Sequence, residues 1–128
     1  MPTWGAIRPY LLLVVALGAL LHAYQLASSP NPLSSLWVVG FMIWSLTPYV
    51  LCLIIASVSV SPIPAAVGAS AALLFDIAMH FEVVTSKSST AGLGYIFMPL
   101  WNLVLIAPFA MLMAWLAVKA RASNADAP

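Results

Sequence analysis

Apolar residues dominate four stretches of the chain, and turn-forming residues separate them. The stretches run from about 7 to 27, 36 to 60, 63 to 84 and 95 to 118. Each falls in the range of roughly 17–25 residues that a helix needs to cross the hydrocarbon of a bilayer. The separators SSPNPLSS (28–35), SPIP (61–64) and TSKSSTAGLG (85–94) are rich in Ser, Pro or Gly, the residues that punctuate helices. None of the apolar stretches alternates with a period of two, as membrane β-strands do. The pattern predicts an all-α fold: one integral-membrane four-helix bundle spanning 1–128, built as two helical hairpins.

Composition narrows the picture. Of 128 residues, 64% are hydrophobic and only 5% are charged. About a quarter of the residues in a soluble domain are charged, so this chain has too few to face water on all sides, and lipid is its expected partner. The +1 net charge comes without a basic run, so no nucleic-acid partner is expected. Cys52 is the only cysteine, which excludes an intrachain disulfide, a CxxC redox pair and a thiolate zinc cluster. Nothing in the sequence suggests a nucleophile–base pair or a phosphate loop, so no enzymatic activity is expected.

The four cations suggest an orientation. Arg8 precedes the first span, and Lys119 and Arg121 follow the last, whereas Lys87 stands alone in a connecting loop. Because cytoplasmic flanks carry the excess of Lys and Arg, both termini are expected in the cytoplasm. Arg8 followed by an apolar run and LASS also has features of a secretory signal. Gln25 occupies a position where cleavage wants a small residue, so the first stretch is read as a retained span.

Within the spans, the stretch ALLFDIAMHFE (72–82) carries three residues that hydrocarbon disfavours. Glu82 lies near the outer boundary, where solvation explains it. Asp76 lies eight residues inside, about 12 Å deep at 1.5 Å per residue. A mid-span aspartate costs about 2.5–3.5 kcal/mol to insert. Gly68, Ala72, Asp76 and His80 recur at intervals of four and form one stripe. The small-xxx-small pair at its start favours close helix contact, so the stripe is expected to turn Asp76 into the bundle. Ser45, Thr47, Tyr49 and Asn102 lie at comparable depth and are candidate partners. Burial without a cation disfavours the charged carboxylate, which makes Asp76 a candidate proton carrier and His80 a candidate relay. His22 reads as interfacial. A metal site on His22, Asp76 and His80, or haem held by His22 and His80, is the remote alternative, and no cofactor is predicted. Pro48 and Pro108 each remove a backbone bond inside a helix, so kinks are expected in helices 2 and 4. The 85–94 loop is a candidate lid.

The segments FDIAMHF (75–81) and SSTAGLGYIFMPLWNLVLIAP (88–108) resemble those of small four-helix bacterial inner-membrane proteins of unassigned function. The resemblance implies a multi-pass protein of the cell inner membrane. Two better-known small families differ: the first span lacks the acid of small multidrug transporters, and the Gly- and Asn-rich signature of fluoride channels is absent. Three function classes follow. The first is a structural or accessory component of a membrane complex, or a homo-oligomer, because so small a bundle has little interior of its own. The second is a small transporter or channel using Asp76, His80 and Asn102 for a proton or cation. The third is a haem or metal protein.

Overall fold

The computed structural model describes residues 3–28, 35–87, 90 and 93–125. Among these residues every element is helical: α1 (Trp4–Ala27), α2 (Ser35–Val58), α3 (Ile63–Thr85), α4 (Leu93–Trp101), a π-helical turn (Asn102–Ile106) and α5 (Ala107–Ala125). The last three form one continuous rod, giving four helices long and apolar enough to cross a membrane. The joint at 29–34 and the centre of the expected lid (88, 89, 91 and 92) lie outside the described residues.

Helix boundaries follow local chemistry. α2 stops at Val58, slightly before the expected end, and Pro62 precedes the start of α3. Pro64 sits in the first turn of α3, where a missing N–H costs nothing because no intrahelical acceptor exists there. α2 remains α-helical through Pro48. The irregularity expected near Pro108 takes the form of the π-helical turn just before it, where the Ala107 N–H donates to the Asn102 carbonyl. Proline cannot continue the α ladder, and a π turn is one way for a helix to absorb the mismatch.

Packing is that of a membrane bundle. The buried apolar positions are mostly small, with Ala56, Ala65, Ala66, Ala69, Ala72 and Ala107 among them. Large side chains such as Leu20, Trp37, Ile43, Phe81 and Phe109 point outward. In lipid, burying a leucine gains little over leaving it among acyl chains, so close backbone approach and polar contacts hold helices together. The expected close approach on α3 is present. A Cβ on Gly68 would lie 3.2 Å from the Ala107 carbonyl oxygen and closer still to Met111.

α3 is the central element, packing against α1, α2 and the α4–α5 rod. Tyr10 meets Ser70 at 2.6 Å and His22 meets Asp76 at 3.2 Å, so α1 and α3 run in the same direction. On α1 the buried positions Leu11, Val14, Gly18, His22 and Gln25 recur every three or four residues, one face of the helix. Gly18 makes room for Tyr49: a Cβ there would lie 2.9 Å from the phenol ring.

Gly18→Ala should therefore destabilise the protein by about 1–3 kcal/mol, the usual cost of overpacking. Gly40 has open space at its Cβ position, so Gly40→Ala should be neutral or slightly stabilising. Thermal unfolding of both variants in detergent checks the pair, and equal effects would refute the close Gly18–Tyr49 contact.

Candidate functional site

The stripe on α3 does turn inward, and Asp76 is only 1% exposed. Each of the other three spans brings a side chain to its carboxylate. From α1, His22 Nε2 lies 3.2 Å from Oδ2. From α2, the Tyr49 hydroxyl donates to Oδ2 at 2.5 Å. From the π-helical turn, Asn102 Nδ2 donates to Oδ1 at 2.6 Å and also reaches the Ala72 carbonyl at 3.3 Å. Tyr49, Asn102 and His22 are all fully or almost fully buried.

These contacts answer the solvation problem of a carboxylate in hydrocarbon. Hydrogen bonds to an ionised acceptor are shorter and stronger than neutral ones, and three donors cover most of what water would supply. Among the described residues no lysine or arginine approaches Asp76, so His22 is its one group able to carry positive charge.

A second tier extends from His22. Its Nδ1 lies 2.9 Å from Gln25 Oε1, and Gln25 Nε2 lies 3.1 Å from His80 Nδ1. The Tyr95 hydroxyl lies 3.3 Å from the same His80 nitrogen, and the two rings stack at 5.9 Å. Tyr24 adds an edge contact to the His80 ring at 5.8 Å. His80 is half-buried, so the network runs from a sealed carboxylate to a partly open imidazole.

Of the residues expected at the site, Asp76, Tyr49 and Asn102 meet directly. His80 does not pair with Asp76 but joins the network through Gln25. Thr47 is not part of it: its hydroxyl bonds the Ile43 carbonyl of its own helix at 2.9 Å, the local bond that threonine in a helix commonly makes. Ser45 is buried, but its hydroxyl has no hydrogen-bond partner among the described residues. The Trp44 indole N–H donates to the Ile96 carbonyl at 3.0 Å. Glu82 is exposed, as expected.

His22 is the main correction. It was expected at the interface, yet it is 1% exposed and bonded to Asp76. Gln25 and Tyr95, not among the expected site residues, also belong to the network. The recurrence of Gly18, His22 and Gln25 at spacings of four and three was the available signal. His22 and His80 do not converge with Asp76 on one point, because Gln25 stands between the two rings. Among the described residues no group of three or more His, Cys, Asp or Glu is placed to hold a metal ion.

Three grooves lie on the outer sides of the bundle. One is lined by Ile55, Pro64, Met111 and Trp115, another by Trp37, Phe41, Trp44 and Ile96, and a third by Val67, Phe109, Met113 and Arg121. Asp76 lines none of these three.

No family model, curated protein or solved structure matches the chain.

The geometry separates partners from bystanders. Tyr49→Phe and Asn102→Leu should each lower stability by about 0.6–2 kcal/mol, the range of hydrogen bonds between membrane helices. Thr47→Val should change it by less than about 0.5 kcal/mol. Equilibrium unfolding in mixed micelles measures all three, and a Thr47 effect as large as the Tyr49 effect would contradict the assignment.

Proposed function

We propose that this chain is a non-enzymatic, multi-pass component of the bacterial inner membrane that acts as a structural or accessory subunit, either in a larger membrane complex or as a homo-oligomer. One observation carries the reading: a single buried carboxylate is bonded by a side chain from each of the other three spans. Such a clamp fixes the relative height and rotation of all four helices. Asp76 is only 1% exposed and held from three directions, which suits a rigid scaffold better than a transport route. The alanine-rich interior supports the same reading, since it leaves most large apolar side chains facing outward toward lipid or a partner's helices.

Both termini face the cytoplasm in this proposal, with the spans paired as two hairpins. Arg121 shares a groove with Ile63 and Val67 at the start of α3, and α3 runs parallel to α1. Arg8, Lys119 and Arg121 therefore lie toward one end of the bundle, in keeping with a positive inner flank. Lys119 sits 5.1 Å over the Trp115 ring, an arrangement suited to the headgroup region.

Affinity capture from mild detergent tests the role. The expected outcome is recovery of a stoichiometric membrane partner or a defined oligomer. Asp76→Asn should lower both its retention and the thermal stability, and liposomes should show no Asp76-dependent ion flux. A pH-dependent flux abolished by Asp76→Asn in a protein that still folds would overturn the reading in favour of transport. The orientation has its own check. Cys52 is buried, so a cysteine introduced by Thr3→Cys or Ser123→Cys should react with a membrane-impermeant maleimide only after the cells are opened. Labelling of intact spheroplasts would reverse the topology.

A further inference from the structure

The Gln25 amide links two imidazoles, and its chemistry restricts where their hydrogens sit. An amide oxygen only accepts and an amide nitrogen only donates. His22 Nδ1, 2.9 Å from Gln25 Oε1, must therefore carry a hydrogen. His80 Nδ1, 3.1 Å from Gln25 Nε2, must present its lone pair, which the Tyr95 hydroxyl also approaches at 3.3 Å. The hydrogen of neutral His80 then lies on Nε2.

The constraint reaches Asp76. With Nδ1 of His22 already protonated, its Nε2 and Asp76 Oδ2 face each other at 3.2 Å and need one more proton between them. That proton makes either an imidazolium beside a carboxylate or an imidazole beside a carboxylic acid. Both forms are neutral overall, as a low-dielectric interior favours. Asp76 Oδ1 is occupied as an acceptor by Asn102, so the proton belongs to the Oδ2–Nε2 contact.

We propose that the His22–Asp76 pair is a binding site for one exchangeable proton, and that Gln25 transmits its occupancy to His80. Release of the proton to water leaves two lone pairs opposed. A half-turn of the Gln25 amide relieves this if the hydrogen of His22 moves from Nδ1 to Nε2. Nε2–H then donates to the Asp76 carboxylate, the Gln25 nitrogen donates to His22 Nδ1, and the Gln25 oxygen accepts from His80. To supply that bond, the hydrogen of His80 moves from Nε2 to Nδ1, and the Tyr95 hydroxyl loses its acceptor. One proton leaves, and two hydrogens change ring nitrogens. The unprotonated carboxylate retains three donors in His22, Tyr49 and Asn102, so Asp76 keeps its partners in both states.

The groups facing this site are few. α1 contributes His22 itself and Tyr24, the latter against the His80 ring. α2 contributes Tyr49, with Cys52 beside it. α3 contributes His80, and α4 contributes Tyr95. The proposal goes beyond the scaffold role and does not depend on it, since a rigid clamp can exist with or without an exchangeable proton.

Nitrogen-15 NMR of the full chain in lipid nanodiscs, labelled only at histidine, reads the proposal directly because the protein has two histidines. Across a pH titration, both rings should change tautomer in a single transition with a common midpoint. In Gln25→Met, which keeps bulk but removes both bonds, His22 should still respond while His80 no longer follows it. Their midpoints should then separate by more than about one pH unit, the scale that distinguishes coupled from independent groups. Separate midpoints in the unmodified protein, no tautomer change at either ring, or continued coupling in Gln25→Met would overturn the proposal. Should Gln25→Met fail to fold, the titration of the unmodified protein alone decides.

Discussion

The structure depends on a solvation requirement: a carboxylate placed in hydrocarbon must find donors in the protein. Asp76 finds them in His22, Tyr49 and Asn102, one from each of the other spans. Apolar burial cannot specify the arrangement, because acyl chains offer leucine and phenylalanine much the same surroundings as a helix neighbour does. Directional bonds to one fixed acceptor can. Small residues at Gly18, Gly68 and Ala72 let the backbones come close enough for those bonds to form.

The bundle is therefore organised by height. At the level of Asp76 the four helices are tied by polar contacts, and below it α3 slides against the last rod along alanines and Gly68. Above it, the Gln25–His80–Tyr95 group continues the polar path toward the end of α3. Each tier requires the one beneath, since Tyr49 can reach Asp76 only because position 18 has no side chain.

Much of this was legible in the residues. The apolar runs located all four spans to within a few residues, except that the last helix continues to Ala125, past the expected end at 118. The four-residue stripe on α3 placed Asp76 inward because its period matches the helix. The partners were less legible. Depth alone ranked Ser45, Thr47, Tyr49 and Asn102 equally, but depth does not say which way a side chain points around its helix axis. Thr47 faces its own backbone, and Tyr49, two residues on, faces the carboxylate. Depth alone points His22 to the interface, whereas the face it shares with Gln25 on α1 turns both inward. That boundary is soft for long polar side chains, whereas the helical period is not.

The π-helical turn at Asn102–Ile106 has a consequence for how the final rod is geared to α3. One extra residue in a turn rotates everything beyond it by roughly 100° relative to an unbroken α-helix of 3.6 residues per turn. Asn102 opens that turn and answers to Asp76, whereas Ala107 and Met111 follow it and answer to Gly68. The rod thus meets α3 with two faces set at independent phases. The polar seat and the close-packed seam can each be satisfied without one dictating the angle of the other.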